Sequence, residues 1–162
     1  MTKLKYVVGD VREPLGSGNK LVCHCCNDLK KMGTGVALAL LTKWPAVRSE
    51  YVKWPKETFE LGNIQIVKVE NDIGVVNMVG QHDIKPIDGV PPVRYDAVEA
   101  CLKKIVPIAK KYNASLHFPF KFSCDRAGGD WAVIEAMLIK ELCEYDMDVT
   151  IYDIDNLRGQ HA

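Results

Sequence analysis

The chain has 162 residues, a length that one domain with a single hydrophobic core commonly spans. Hydrophobic residues make up 48% of it and charged residues 26%, which excludes wholesale disorder because enough apolar surface is present to offset the chain entropy. The 21 basic residues balance 21 acidic ones, so nothing attracts the chain to a phosphate polymer in general. We therefore expect one domain over residues 1–162 that is not a general nucleic-acid binder.

The sequence also bears on the compartment. No apolar run approaches the roughly 20 residues that cross a bilayer, and the first residues lack the long hydrophobic segment of a secretion signal. A domain of this size needs no disulfide staples, so we expect reduced thiols. These observations predict a cytoplasmic protein with no membrane partner, and we expect it to be a monomer.

The cluster CHCC at residues 23–26 resembles a set of zinc ligands. It lies in a β-like run, however, where successive side chains point to opposite faces, so one metal ion cannot reach all four. No second Cys/His pair stands at a metal-binding spacing elsewhere in the chain. We predict buried thiols, no metal site and no cofactor, with redox or metal chemistry of the cysteines as the alternative.

In chain order, the first half alternates β-branched runs with helical patterns. Strands are predicted at 4–10 and 20–26, helices at 36–44 and 45–54, and a hairpin over 62–80 that turns at Asn71 and Asp72. The following segment, 81–94, carries three prolines and has no period, so it is a candidate flap.

The second half continues the alternation. A helix is predicted at 94–112, a short buried strand at 115–118, a helix at 131–145 capped by Asp130, and a final strand at 148–154. Strands that alternate with helices indicate an α/β fold, with a mostly parallel sheet, some antiparallel pairing, and helices on both faces.

Two loops that contain glycine, NDLKKMGTGVA at 27–37 and SCDRAGGDW at 123–131, each follow a predicted strand and precede a predicted helix. Close backbone approach at glycine and the free amides of a helix N-terminus favour an anion, so a diphosphate fits between the loops. Neither loop has the spacing of a dinucleotide-binding or P-loop motif. The alternative is that the glycines only make turns.

These residues carry a resemblance to a known family. The strings HCCNDLKKMGTGVALAL (24–40), GDV (9–11) and FPFKFSCDRAGGDW (118–131), with a closing Y-x-I, are similar to a macro domain. The chain resembles in particular the branch of ADP-ribose 1''-phosphate phosphatases and the terminal ADP-ribose glycohydrolase, many of whose small members come from bacteria and phages. The resemblance implies a single three-layer α/β/α domain with a mixed, mostly parallel central sheet.

The resemblance also implies a set of ligand-binding residues. Asp10 would receive the adenine amino group with Val11 against the ring, and Asn27 would hold the distal ribose. The walls of the phosphate and ribose site would be Gly33, Thr34, Gly35 and Val36 on one side, and Ser123, Cys124, Asp125, Arg126, Ala127 and Gly128 on the other. Tyr152 and Ile154 would pack against adenine. From the residues alone, Asp10 is equally a loop cap, Asn27 a turn residue and Tyr152 a core aromatic.

Catalytic residues are implied less directly. The lysine and the aspartate of the glycohydrolase are replaced here by Gln81 and Ala127, which disfavours lysine-linked cleavage. The phosphatase resemblance points to His24 as general acid or base, with Asn27 beside it, although a buried structural histidine is the alternative. Asp125 and Asp130 are the carboxylates of the second loop, and either one is a candidate to orient water, while Asp130 is also the expected helix cap.

We therefore expect a protein that binds ADP-ribose and hydrolyses ADP-ribose 1''-phosphate to ADP-ribose and phosphate. The alternatives are removal of ADP-ribose from an ester-linked acceptor on an ADP-ribosylated macromolecule, deacetylation of O-acetyl-ADP-ribose, and a non-catalytic reader of ADP-ribose.

Overall fold

A computed structural model describes residues 4–155. The strands are β1 (Leu4–Val8), β2 (Lys20–Asn27), β3 (Ile64–Glu70), β4 (Ile73–Gln81), β5 (Ser115–Pro119) and β6 (Val149–Asp153). The helices are α1 (Gly35–Lys43), α2 (Ala46–Lys53), α3 (Tyr95–Tyr112) and α4 (Trp131–Glu141), and a 3₁₀ turn follows at Cys143–Tyr145. Among these residues no helix is both long enough and apolar enough to span a membrane.

The strands form one six-stranded sheet in the order β1-β6-β5-β2-β4-β3. Every neighbouring pair is parallel except β3 and β4, which form the predicted antiparallel hairpin. The predicted mixed, mostly parallel sheet is therefore confirmed. Because β1, β2, β5 and β6 all run in the same direction, the loops that follow them meet at one edge of the sheet, where open α/β sheets bind ligands.

Helices cover both faces of the sheet, which confirms the three-layer α/β/α architecture. One core lies between the sheet and helices α3 and α4, and it includes the fully buried Leu102, Ile134 and Phe118. The other lies between the sheet and helices α1 and α2, and it includes Leu40 and Tyr51. Burial of this apolar surface provides the main driving force for folding.

The last predicted helix is shorter than expected. Helix α4 ends at Glu141, and the amide of Tyr145 donates to the carbonyl of Leu142 across three residues, so the chain tightens into the 3₁₀ turn. Asp146 then adopts a left-handed conformation, with φ of 63°, which stops the helix. Tyr145 is therefore 52% exposed and does not continue the buried stripe that its spacing predicts.

Candidate functional site

Two adjoining cavities, of about 920 and 340 Å³, lie at the carboxyl-terminal edge of the parallel strands. We call them the larger cavity and the smaller cavity. They share six lining residues, so together they form one cleft: Gly35, Val36, Pro119, Phe120, Lys121 and Asp125. A separate cavity of about 680 Å³ is lined by residues such as Lys20 and Asp72 near the opposite end of β2, and contains none of the predicted site residues.

The larger cavity contains the residues that the resemblance assigns to adenine. Asp10, Val11, Tyr152 and Ile154 all line it, and Cys124 lies in its wall. Arg12, which was not predicted as a site residue, lines it as well. Its side chain makes three hydrogen bonds to Asp10, from Nη2 to Oδ2 at 2.6 Å and from Nε to Oδ1 at 3.1 Å and to Oδ2 at 3.0 Å. The Arg12 guanidinium keeps the pKa of Asp10 below its usual value, so Asp10 is an acceptor at neutral pH.

The smaller cavity contains the residues assigned to the distal ribose and the second loop. Asn27, Thr34, Ser123, Arg126 and Ala127 line it. Gln81 also lines it, which agrees with its inferred place in the site, and its Oε1 accepts a hydrogen bond of 3.1 Å from the Ser123 hydroxyl. These positions bring the two predicted loops to opposite sides of one cleft.

Asn27 lies in the cleft wall, but the loop after β2 already uses its amide. Its Nδ2 donates to the carbonyl of Lys31 at 2.7 Å, and its Oδ1 accepts from the amides of Leu29 at 3.0 Å and Lys31 at 3.2 Å. The side chain is buried, with 8% of the residue exposed. The turn-forming role is thus observed, and it uses Oδ1 and one of the two Nδ2 hydrogens.

The N-terminus of α1 opens onto both cavities. Its cap residue, Thr34, makes no side-chain cap hydrogen bond, and the first turn of the helix contains no acidic residue. The first amides of a helix have no partner within the helix and carry partial positive charge. Gly35 and Val36 line both cavities, so this end of α1 is available for an anion.

Helix α4 differs at the same point. Asp130 caps it, because the Asp130 Oδ1 accepts a hydrogen bond of 2.9 Å from the amide of Ala132. Asp130 lines neither cavity. The helix-cap prediction is confirmed, and the position of Asp130 outside the cleft lining does not support the alternative catalytic role.

Two of the predicted phosphate-wall glycines also lie outside the cleft lining, namely Gly33 and Gly128. Gly128 has φ of 76°, and a Cβ at this position would lie 2.7 Å from the Cβ of Pro91. A Cβ on the next residue, Gly129, would lie 2.4 Å from the carbonyl oxygen of Ser123. Gly128 and Gly129 therefore allow close packing, Gly128 against the 81–94 segment and Gly129 within its own loop, as the turn-forming alternative proposed.

The structure contradicts the catalytic role expected of His24. The residue is completely buried in the middle of β2, lines neither cavity, and faces Asn77 with 2.6 Å between His24 Nε2 and Asn77 Oδ1. Burial lowers the pKa of the imidazole to about 4, so it is neutral at physiological pH. His24 is a core residue, which was the alternative stated from the sequence.

The cysteines around the site are free thiols. Cys25 and Cys26 line the smaller cavity and Cys124 the larger one. Burial raises the pKa of Cys25 to about 12, and raises those of Cys26 and Cys124, so none of the three is the reactive thiolate at neutral pH. This protonation state disfavours nucleophilic or redox chemistry at the cleft.

The charge of the cleft differs between its two ends. Lys31, Lys121 and Arg126 line the smaller cavity, where Asp125 is the one carboxylate contributed by residues 4–155. The larger cavity instead has more acidic than basic side chains: it is lined by Asp10, Asp125, Asp153 and Asp155, against Arg12 and Lys121. Lys31 and Lys121 were not predicted as site residues, although both lie within the strings that carry the family resemblance. Their charge favours an anion at the junction and in the smaller cavity.

The fold and the cleft together define a class of protein, an α/β/α domain with an anion-receptive helix end between two halves of an elongated cleft. Comparison with solved structures identifies the family. A macrodomain protein from Streptomyces coelicolor is 35% identical, with 93% of this chain and 99% of that chain covered and a TM-score of 0.82. This chain belongs to the macrodomain family.

Other comparisons agree with this fold. A protein of unknown function from Bacteroides thetaiotaomicron is 42% identical, with 94% of this chain and 98% of that one covered and a TM-score of 0.91. A structure of Thermosipho africanus DarTG in complex with ADP-ribose has a TM-score of 0.76 at 19% identity, over 94% of this chain and 42% of that chain, and shows similarity of fold.

Among curated proteins, the mouse chromodomain-helicase-DNA-binding protein 1-like is 28% identical over 171 residues, which span 99% of this chain. The chain covers 19% of that relative's length and 16% of its zebrafish counterpart, about a fifth of each or less. No family model matches the chain.

Proposed function

We propose that this chain binds ADP-ribose along the cleft. Adenosine would occupy the larger cavity, the distal ribose the smaller one, and the diphosphate the junction at Gly35 and Val36. The observation that carries this proposal is the uncapped N-terminus of α1, which opens onto both cavities. The ADP-ribose held by the structurally similar Thermosipho africanus protein supports the same ligand class.

The charges of the cleft support this orientation of the ligand. A diphosphate is anionic, whereas adenosine is neutral and offers an amino group to an acceptor. The basic Lys31, Lys121 and Arg126 lie around the smaller cavity, and the acceptor Asp10 lies in the larger one. The reverse orientation would put adenine beside Lys31 and Arg126 and its amino group far from the Asp10 carboxylate.

We further propose that the chain hydrolyses ADP-ribose 1''-phosphate. Asp125 would orient a water molecule and take its proton as the water attacks phosphorus. The bond between phosphorus and the oxygen on C1'' then breaks, that oxygen receives a proton, and ADP-ribose and phosphate leave. Support comes from the position of Asp125, which lines both cavities and is the carboxylate that residues 4–155 contribute to the smaller one.

The second candidate is a non-catalytic reader of ADP-ribose, including ADP-ribose attached to a macromolecule. One observation favours it: His24 and Asp130 lie outside the cleft lining, and Asn27 uses its Oδ1 and one Nδ2 hydrogen within its own loop. Of the residues proposed as catalytic, Asp125 is thus the one whose carboxylate lines the smaller cavity. Cleavage of an ester-linked ADP-ribosyl group or of O-acetyl-ADP-ribose would need the same carboxylate, so one substrate panel addresses all the candidates.

Binding is tested by calorimetric titration of ADP-ribose into the wild-type protein and two variants. Thr34→Asp puts a carboxylate at the N-cap of α1, and we expect it to weaken binding about tenfold because its charge opposes the diphosphate. Thr42→Asp is the matched control, since it adds the same charge to the same helix about 12 Å further along. Equal affinity in all three proteins would contradict the proposed diphosphate position, and no heat with the wild type would contradict ADP-ribose binding.

Hydrolysis is tested with ADP-ribose 1''-phosphate, an ADP-ribosyl ester and O-acetyl-ADP-ribose, with products followed by ³¹P NMR and chromatography. We expect phosphate release by the wild type and a loss of about a hundredfold in Asp125→Asn, with ADP-ribose affinity retained. Asp130→Asn is the control, because asparagine also caps a helix. Turnover of no substrate by a wild type that binds ADP-ribose would favour the reader.

A further inference from the structure

Behind the larger cavity, a chain of hydrogen bonds begins and ends in the connection between β1 and β2. The amide of Leu15 donates to the hydroxyl of Tyr152 at 2.8 Å, and this hydroxyl lies 2.7 Å from Nδ1 of His117. On the other side of the ring, Nε2 of His117 lies 2.7 Å from the hydroxyl of Ser115, which donates to the carbonyl of Asn19 at 3.4 Å. We call this arrangement the His117 chain.

The direction of each hydrogen bond in the His117 chain follows from the backbone groups at its two ends, the amide of Leu15 and the carbonyl of Asn19. The Tyr152 oxygen accepts from Leu15, so its own proton is free to be donated to Nδ1 of His117. The Ser115 proton is directed at Asn19, so its oxygen accepts from Nε2–H of His117. A neutral imidazole protonated on Nε2 is the one form that satisfies every group. Burial lowers the pKa of His117 to about 4, which keeps it neutral at physiological pH.

The segment of residues 9–19, to which the His117 chain is bonded, forms part of the larger cavity. Residues 9–19 contain no helix or strand, yet they carry Asp10, Val11 and Arg12 in the cavity wall. Tyr152 lies in the same wall and is 2% exposed. Because its hydroxyl is tied to the amide of Leu15 on one side and to His117 on the other, the tyrosine connects this irregular segment to strands β5 and β6.

We infer that His117 is a positioning residue for the adenine end of the ligand. By accepting the Tyr152 proton it fixes the tyrosine, and through Leu15 it holds the 9–19 segment in the shape that presents Asp10. This inference rests on the proposed binding of ADP-ribose. The ordering of the segment is completed before the ligand arrives, so binding does not have to supply it.

Three variants separate the steps of this reasoning. Tyr152→Phe keeps the ring and removes only the hydroxyl. His117→Leu removes the acceptor, whereas His117→Asn places an amide oxygen near the position of Nδ1 and should restore the bond to Tyr152. The matched control is His24→Leu, because His24 is the other completely buried histidine in residues 4–155, and it lines neither cavity.

We expect Tyr152→Phe and His117→Leu to weaken ADP-ribose binding about fivefold to tenfold, which corresponds to the loss of one buried hydrogen bond. His117→Asn should stay within about twofold to threefold of the wild type, and His24→Leu should be unchanged. The two weakened variants should also discriminate less well between ADP-ribose and inosine diphosphate ribose, which lacks the adenine amino group. A purely structural defect would lower the affinity for both nucleotides equally.

Two measurements need no ligand. Hydrogen exchange should show a protected Leu15 amide in the wild type that becomes unprotected in Tyr152→Phe, and ¹⁵N NMR should show His117 protonated on Nε2. An unprotected Leu15 amide or a proton on Nδ1 would overturn the His117 chain whatever the ligand. Wild-type affinity and base discrimination in Tyr152→Phe and His117→Leu would overturn the positioning role and leave the proposed function standing. No ADP-ribose binding by a wild type with a protected Leu15 would overturn the proposed function, and the adenine role of His117 with it.

Discussion

This protein should lose stability between pH 7 and pH 5, which is above the pH range in which carboxylates titrate, because two buried histidines must stay neutral in the fold. His24 and His117 are 0% and 1% exposed, and burial lowers the pKa of each from 6.5 to about 4. In the unfolded chain each histidine binds a proton near its ordinary pKa. Between these two values the unfolded state holds more protons than the folded state, so stability falls as the pH drops.

The size of the effect follows from these two pKa values. Between pH 7 and pH 5 each histidine should remove about 2 kcal/mol from the free energy of unfolding, or about 4 kcal/mol for the pair. Below pH 4 the folded state also takes up the protons, and this contribution stops growing. A loss of about 4 kcal/mol is a large part of the stability of an ordinary domain.

The assay is urea denaturation of the wild type, His24→Asn and His117→Asn at pH 7 and pH 5. Asparagine does not titrate, so each variant should lose about 2 kcal/mol less than the wild type over this interval, whatever its stability at pH 7. Groups that titrate in all three proteins cancel in the comparison. A variant that loses as much stability as the wild type would refute the assignment of a buried neutral histidine at that position.

Three further changes test other parts of the structure. Asp130→Ala should lower the free energy of unfolding by about 1 kcal/mol in urea denaturation, because it removes the cap of α4. It should leave ADP-ribose affinity within about twofold of the wild type, because Asp130 lies outside the cleft lining, and a large loss of affinity would argue against that placement. Gly129→Ala should distort the second loop and weaken ADP-ribose binding about tenfold or more in titration calorimetry, since its Cβ would meet the Ser123 carbonyl at 2.4 Å, whereas Gly33→Ala meets no atom within 4 Å and should be tolerated. Tyr51→Phe should cost about 1–2 kcal/mol in thermal or urea unfolding, because the buried Tyr51 hydroxyl donates to the carbonyl of Asn27 at 2.5 Å. An unchanged stability would contradict a net stabilising contribution from that bond.

Much of the fold could be predicted because its signals are local. The β-branched runs at 4–8 and 149–153, the turn at Asn71 and Asp72, and the cap at Asp130 each depend on a few neighbouring residues. The end of α4 was missed, since the chain turns at Asp146 through a left-handed backbone conformation that its spacing of apolar residues does not reveal.

The site was predictable as a set of loops and less so as a set of roles. The two glycine loops do meet across one cleft, and most residues expected there line it. His24 and His117 show why roles are harder to predict, since both lie in buried strands and the hydrogen bonds of each depend on a side chain from a distant strand. His24 faces Asn77, 53 residues away, and His117 faces Tyr152, 35 residues away. The short run SLHF at 115–118 contains nothing that marks its histidine as part of the cleft's support.

By itself, the order of residues determined the α/β alternation, the two loops that contain glycine and the likeness to a family, because periodicity and turn-forming residues can be recognised from adjacent positions. Tertiary structure decided which polar groups face the cleft. In the folded protein the N-terminus of α1 has no side-chain cap, Asp130 caps α4, Asn27 bonds to its own loop, and Lys31 and Lys121 line the smaller cavity. The physical reason is that a side chain's charge state and free hydrogen-bonding groups depend on what surrounds it, and those surroundings come from distant segments that only the folded sheet brings together.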